Sequence, residues 1–141
     1  MIYREWQLKD VGEVVELEKK CFSDPWNADM VSSFNLPQFV GFVAEDGGKV
    51  VGYVGATAVF TDCDVLLVAV AEKYRRQGIA KGLFGKLFDA LVSDGGEKVF
   101  LEVRSRNRAA RECYESLGFS EIGVRNNYYG DDDAVIMEKD L

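Results

Sequence analysis

The chain has no histidine among its 141 residues and only three cysteines. Cys21, Cys63 and Cys113 lie far apart and form no CxxC pair. This pattern argues against a structural zinc site, and the missing histidine excludes a Cys–His nucleophile. We therefore predict three reduced thiols and no metal cofactor, as is usual for a cytosolic protein.

Long apolar runs and an excess of positive charge are missing as well. No apolar run is long enough to span a bilayer, and the segment Met1–Trp6 lacks the basic-then-apolar layout of a secretory signal. We therefore expect a cytoplasmic protein with no membrane partner. The net charge of −7 argues against a general nucleic-acid binder, so no nucleic-acid partner is predicted.

Apolar residues, in contrast, are plentiful. Hydrophobic residues make up 48% of the chain and aromatic residues 12%, which is enough for a core without disulfides or metal. The length suits one domain over residues 1–141. Charge is uneven: the segment Lys73–Phe88 is basic without an acidic residue, whereas Asp131, Asp132 and Asp133 are consecutive. These segments indicate an anionic ligand at one place and a cationic ligand at another, unless both are solvated surface.

The apolar patterns alternate between strand and helix periods and predict the element order β-α-α-β-β-β-α-β-α-β-β. Asp10 and Glu13 have capping-box spacing before the first helix, and a short second helix is expected over residues 27–34. Asp46-Gly47-Gly48 predicts a tight hairpin. The nearly continuous apolar run from Val65 to Val70 predicts a strand that is buried on both faces. One α/β domain with a mixed sheet follows.

The segment Val68–Phe88 reads as an apolar strand, a basic turn and an amphipathic helix. A helix start exposes unpaired N–H groups and the positive end of the helix dipole, and phosphate oxygens complement both. We expect backbone N–H groups from Gln77 to Lys81 to face a pyrophosphate, with Arg75, Arg76 and Lys81 supplying charge. An ordinary strand–helix turn with exposed basic side chains is the alternative.

Glu102 lies inside the apolar strand predicted for Lys98–Arg104. A carboxylate in such surroundings is partly desolvated, so its pKa should rise and make it a usable general base. The alternative is a solvated glutamate or one that pairs with Arg104.

Tyr114 falls on the apolar face of a helix that Asn107 is expected to cap. A phenol with a pKa near 10 is close to matched with a thiol, so the hydroxyl is a candidate donor of a proton to a leaving thiolate. A core tyrosine whose hydroxyl meets a backbone carbonyl is the alternative.

In combination these segments resemble the GNAT superfamily, the GCN5-related N-acetyltransferases. The motifs that carry the resemblance are Arg75-Arg76-Gln77-Gly78-Ile79-Ala80, Leu101-Glu102-Val103-Arg104 and Asn-x-x-Ala-x-x-x-Tyr-x-x-x-Gly-Phe over residues 107–119. Together with Phe22-Ser23-Asp24-Pro25-Trp26 and the segment from Arg125 to Met137, they are most similar to the bacterial family that acetylates the N-terminal alanine of ribosomal protein S18. The resemblance implies a GNAT fold, a mixed central sheet of about seven strands flanked by about four helices.

The resemblance also implies a role for each matching residue. The acetyl group of acetyl-CoA would pass to the N-terminal amine of a protein, with Glu102 as proton acceptor and Tyr114 as proton donor. Cofactor contacts would come from Val68, Ala69, Val70, Arg76, Gln77, Gly78, Ile79, Ala80, Lys81 and Asn107. Trp26, Tyr128 and Tyr129 would wall the acceptor groove.

The sequence departs from that family at Leu67, where asparagine is expected, and in the turn Thr61–Asp64. Both departures lie near the acceptor side. Two alternative functions therefore stay open, an acetyltransferase for a small amine such as a polyamine or aminoglycoside, and an acyl-CoA-binding module without catalysis.

Overall fold

Strands and helices follow the predicted order in the computed structural model, which describes residues 1–22, 25 and 36–141. The strands are β1 (Ile2–Glu5), β2 (Phe39–Asp46), β3 (Lys49–Val59), β4 (Asp62–Val70), β5 (Lys98–Arg104), β6 (Ser120–Arg125) and β7 (Ala134–Asp140). The α-helices are α1 (Val11–Cys21), α2 (Ile79–Ser93) and α3 (Arg108–Ser116), with 3₁₀ turns at Leu8–Asp10 and Glu72–Tyr74. The helix predicted for residues 27–34 lies outside the described residues. No helix within the described ranges is long and apolar enough to cross a membrane.

The seven strands form one mixed sheet, as predicted, and their order across the sheet is β1-β2-β3-β4-β5-β7-β6. Every neighbouring pair is antiparallel except β4 and β5, which are parallel. That parallel pairing covers only Asp62–Asp64 on β4 and Lys98–Phe100 on β5. The sheet therefore splits beyond Asp64.

Helices cover both faces of the sheet. α2 buries Leu83, Phe84 and Leu87 on one face, and the apolar side of α3 packs against the same cluster. α1 buries Val14, Val15 and Leu17 on the other face, against Trp6, Tyr53, Leu67 and Ala69. The two clusters lie on opposite sides of the sheet because successive side chains of a strand alternate between its faces.

The capping box predicted for Asp10 and Glu13 is wrong. The Asp10 carboxylate accepts hydrogen bonds from the Arg4 guanidinium at 2.8 Å and from the Gln7 N–H at 2.7 Å, and it gives no side-chain cap to α1. Glu13 accepts from the Val50 N–H at 2.8 Å. Both carboxylates therefore serve contacts outside the helix, which spacing along the chain does not encode.

The hairpin predicted at Asp46-Gly47-Gly48 is confirmed. Gly47 and Gly48 have φ values of 58° and 81°, which L side chains rarely adopt, and they join β2 to β3 at the pair Asp46–Lys49.

The prediction that Val65–Val70 is buried on both faces is wrong in part. Leu67 and Ala69 are buried, but Val65, Val68 and Val70 are only partly buried and Leu66 is 40% exposed. The ladder to β3 pairs Gly55 with Leu67 and Ala56 with Val65, so Leu66 is the extra residue of a bulge. The exposure follows because β5 has already diverged from β4 at these residues.

Candidate functional site

The split between β4 and β5 opens into a cleft of about 810 Å³, a size typical of ligand sites. Side chains from both edges of the split line it, together with the end of α1, the start of α3 and the segment after β6. Its lining includes Glu18, Leu66, Glu102, Asn107, Tyr114 and Tyr129.

The sheet gives this cleft two chemically different sides. Leu101 and Val103 on β5 pack with α2 and α3, so Glu102 between them points to the side of α1. Tyr114 on α3 belongs to the opposite side and also lines the cleft. The predicted base and the predicted acid therefore approach the split from opposite faces. A group held in the split can be reached from both.

Glu102 is held by a partner that the sequence did not suggest. Its side chain is 28% exposed, and Arg125 Nη1 lies 3.5 Å from its Oε1. The alternative pairing with Arg104 is wrong, because Arg104 Nη1 donates to Asp131 Oδ1 at 2.7 Å. Glu102 is thus a partly accessible carboxylate on β5 with a guanidinium beside it.

Tyr114 is packed edge-on against Phe84 and Phe119, with ring centroids 5.9 Å and 6.0 Å away. Burial raises the pKa of the Tyr114 hydroxyl above its ordinary value, with smaller contributions from Cys113 and Tyr129. The expected match with the pKa of a thiol is therefore corrected: this phenol is a weaker acid than an ordinary tyrosine. It stays protonated at neutral pH and can donate a hydrogen bond into the cleft.

The basic turn before α2 has the backbone shape of an anion site. Arg76 and Gly78 both have positive φ, 63° and 80°, on either side of Gln77. Alternating left-handed residues turn consecutive N–H groups toward one concave side. Gly78 caps α2 without a side-chain hydrogen bond, and the first turn of the helix has no acidic residue. The positive end of the helix is therefore left for a ligand anion.

The cations of that turn have different tasks. Arg75 Nε donates to the Val70 carbonyl at 3.0 Å, and its Nη2 lies 3.6 Å from Cys21 Sγ. This side chain fastens the turn to β4 and α1, whereas Arg76 and Lys81 are exposed beside the helix start. Gln77 Nε2 donates a hydrogen bond to the Lys73 carbonyl at 3.2 Å.

Asn107 caps α3, as predicted. Its Oδ1 accepts from the Ala110 N–H at 3.2 Å, and the residue lines the cleft. Across the split, among the strands that the structure describes, only β3 pairs with the segment Val68–Val70, along one edge. The other edge of β4 has no described strand beside it there, and the Val70 carbonyl accepts from Arg75.

Two tyrosines after β6 build the remaining wall on the side of Glu102. The rings of Tyr128 and Tyr129 meet edge to face at 5.1 Å between centroids. The Arg104 guanidinium lies 4.3 Å from the centre of the Tyr129 ring, and that of Arg125 lies 5.5 Å from Tyr128. Trp26, the third predicted wall residue, lies outside the described residues.

Sequence reasoning missed Glu18. It is a lining residue of the cleft although only 2% exposed, and the Tyr53 hydroxyl donates a hydrogen bond to its carboxylate. The signal was present in the sequence: Glu18 follows Val14 by four residues and therefore falls in the apolar stripe of α1, where an acidic residue is unexpected.

Comparison with known proteins identifies the architecture. A family model described as the acetyltransferase (GNAT) family matches residues 11–119. The chain belongs to this family. As a GNAT enzyme, it is an N-acetyltransferase that uses acetyl-CoA.

The similarity to individual GNAT proteins extends over nearly the whole chain. The sequence is 33% identical to the ribosomal protein bS18-alanine N-acetyltransferase of Escherichia coli, across 91% of this chain and 89% of that protein. It is 35% identical to the N-alpha-acetyltransferase RimI of Mycobacterium tuberculosis, across 93% and 87%. The crystal structure of the ribosomal-protein-S18-alanine N-acetyltransferase from Escherichia coli has a TM-score of 0.93 at 30% identity, covering 99% of this chain and 93% of that one.

The geometry of this GNAT chain fits acetyl-CoA on the side of α2 and α3. The N–H groups at the start of α2 and the cations Arg76 and Lys81 suit a pyrophosphate, and the open edge of β4 suits an amide-rich arm. No group of His, Cys, Asp and Glu within the described ranges is arranged to hold a metal ion.

Proposed function

We propose that this GNAT enzyme acetylates the N-terminal α-amine of a protein in the cytoplasm, with the N-terminal alanine of ribosomal protein S18 as the substrate. The observation that carries the proposal is the placing of Glu102 and Tyr114 on opposite faces of one split in the sheet. The named activity of the Escherichia coli relative supports the choice of acceptor.

The reaction needs two proton movements at this split. When bound, acetyl-CoA supplies an activated thioester and a thiolate leaving group. Glu102 accepts a proton from the acceptor amine on the side of α1, directly or through a water. The hydroxyl of Tyr114, which its raised pKa keeps protonated, donates a hydrogen bond to the sulfur from the other side and gives its proton to the thiolate as the C–S bond breaks.

An N-terminal α-amine is a suitable substrate for a carboxylate base such as Glu102. With a pKa near 7.7–8.0, about 10% of an α-amine is neutral at pH 7, whereas only about 0.04% of an ordinary lysine is. The reactive fraction is therefore several hundred times larger, by this estimate, for an N-terminus. Glu102 can act on such an amine without a metal or a covalent intermediate.

The acidic run does not favour the small-amine alternative. Asp131 pairs with Arg104, the Asp132 carboxylate accepts from the Arg106 N–H at 3.0 Å, and Asp133 accepts from the Asn127 N–H at 2.8 Å. These carboxylates shape the segment between β6 and β7. Each of these carboxylates therefore already contacts a cation or an N–H group of the chain, which weakens its attraction for a polyamine.

The deciding experiment measures thiol release from acetyl-CoA with three acceptors: a peptide that begins Ala-Arg, a lysine peptide with a blocked N-terminus, and spermidine. We expect the first to be acetylated most efficiently. Preference for spermidine would replace the proposal with the small-amine function. Tight acetyl-CoA binding without thiol release for any acceptor would leave only the binding module.

The base is tested in the same assay. Glu102→Gln should lower kcat by about a hundredfold or more, the usual contribution of a general base, while acetyl-CoA binding is retained. The loss should be largest at low pH, where little acceptor amine is neutral. Glu121→Gln, at an exposed position on β6, is the control for charge. An unchanged rate for Glu102→Gln between pH 6 and 9 would refute the role of Glu102.

A further inference from the structure

Glu18 is a second carboxylate in the active cleft, and the proton transfers described above do not use it. It lies on the last turns of α1, packed into the protein with 2% of its surface exposed, and it lines the same cleft as Glu102. The Tyr53 hydroxyl on β3 donates a hydrogen bond to Glu18 Oε1. Burial, and then this hydrogen bond, raise the pKa of Tyr53, so the phenol remains the donor.

The position of Glu18 assigns it to the acceptor. Tyr53 packs with Leu67 and Ala69 on the side of the sheet that α1 covers. Glu102 points to that same side, whereas Tyr114 and Ile79, at the start of α2, belong to the other. A carboxylate at Glu18 therefore flanks the route of the amine and not that of the cofactor.

A neutral donor orients a carboxylate without cancelling its charge. At pH 7 an α-amine arrives largely as the ammonium, because its pKa is near 7.7–8.0. Attraction between a carboxylate and an ammonium is strongest where water is excluded, as at a buried side chain.

We propose that Glu18, oriented by Tyr53, is the specificity-determining residue that selects a cationic amine on the acceptor side of the cleft. The inference rests on the proposed transfer to an amine and adds a recognition role to it. Glu18 draws the ammonium toward the split and holds the amine beside Glu102, which removes the proton. Glu18 is thus a residue for acceptor binding rather than the base.

Other titratable groups face the same region and belong in the interpretation of any pH series. Tyr53 faces Glu18 from β3, and Cys21 lies one turn further along α1. Glu102 and Arg104 on β5, with Tyr128 and Tyr129, line the cleft across from them.

The test is a binding measurement on the full chain saturated with CoA. Two peptides are compared at pH 7, one beginning Ala-Arg with a free N-terminus and the same peptide with an acetylated N-terminus. We expect the wild type to bind the free amine at least about tenfold more tightly, the factor for one charge-assisted interaction. Glu18→Gln should bind both peptides alike, and Tyr53→Phe should lose part of the preference.

Glu16→Gln is the matched control, because it removes the same charge from an exposed position on the same helix, where Glu16 pairs with Lys19 at 3.5 Å. It should keep the wild-type preference. At pH 9, where the α-amine is mostly neutral, the wild-type preference should shrink toward that of Glu18→Gln. If Glu18 had only a structural role, Glu18→Gln would instead weaken the binding of both peptides equally at every pH.

The proposal is overturned if the wild type binds both peptides alike, or if Glu18→Gln keeps the full preference. Should Glu18→Gln fail to fold, the preference of Tyr53→Phe decides, since it retains the ring and removes only the hydroxyl. Because the readout is binding, a wild type that prefers the free amine yet acetylates no peptide refutes the proposed function alone. A wild type that acetylates the peptide without such a preference refutes the role of Glu18 alone.

Discussion

Gly78 offers a test of the phosphate-binding turn that separates backbone conformation from side-chain contact. Its φ is 80° and its ψ is 12°, in the left-handed region, and a Cβ placed on it meets no atom within 4 Å. Gly78→Ala therefore introduces no clash in the turn. Its only direct cost is the left-handed conformation of a residue with a Cβ, about 1–2 kcal/mol.

This cost divides between two measurable quantities. If the free protein keeps the left-handed turn, the cost appears as a loss in the free energy of unfolding. If the turn relaxes when free, it must be restored on binding, and the Kd for CoA rises by about 5–30-fold. The loss in free energy of unfolding and the loss in free energy of CoA binding should add up to about 1–2 kcal/mol. The first is measured by chemical unfolding of the free protein and the second by calorimetric titration with CoA.

Gly85→Ala is the matched control. Gly85 lies on the exposed side of the same helix, a Cβ there would also meet no atom within 4 Å, and its backbone has ordinary helical geometry. Alanine there should stabilise the protein by about 0.5–1 kcal/mol and leave CoA binding unchanged. If Gly78→Ala loses neither stability nor CoA affinity, the assignment of this turn to the pyrophosphate is refuted.

Three further predictions follow from packing and electrostatics. Tyr114→Phe should slow the single-turnover rate at least about tenfold without weakening CoA binding, since donor removal leaves the ring packing intact; an unchanged rate removes Tyr114 from the reaction. Burial raises the pKa of Asp10, but the hydrogen bonds from Arg4 and the Gln7 N–H outweigh it, so the net pKa is lowered. The stabilisation from this lowered pKa is fully present above the pKa that Asp10 has in the unfolded chain, and it is lost as the pH falls through the pKa in the folded protein. In acid unfolding below about pH 4, the free energy of unfolding of the wild type should therefore lose its advantage over that of Asp10→Asn. Burial, with a smaller effect of Asp64, raises the pKa of Cys63 to about 12, so mass spectrometry at pH 8 should find iodoacetamide on Cys21 and Cys113 well before Cys63; equal labelling of folded protein contradicts this.

Local chemistry makes much of the fold predictable. Gly47 and Gly48 adopt the positive φ that a two-residue hairpin needs, and Asn107 caps α3 through the Ala110 N–H. The apolar spacing of α2 predicts its buried face correctly. These features depend on neighbours within a few residues, so the sequence contains their causes.

The partners of the charged groups are less predictable. Arg104, two residues away, is the partner that spacing offers Glu102, yet the ion pair forms with Arg125 on a strand that the chain reaches only after α3. Spacing predicts that Glu13 caps its own helix, but its carboxylate accepts from the Val50 N–H. Such choices depend on which elements the fold brings side by side, and a carboxylate takes whichever donor is closest in space.

The sequence by itself determined the order of the described elements, and it supplied the prediction of a phosphate-binding turn before α2 and the candidates for base and acid. Only the tertiary structure decided where the sheet opens, because the pairing of β4 with β5 ends after Asp64 while both strands continue. That divergence exposes Leu66, gives Glu102 and Tyr114 access to one cleft from opposite faces, and leaves Glu18 in the lining of the same cleft. Residue spacing cannot specify this gap, since it arises from strands distant in the chain that separate in space.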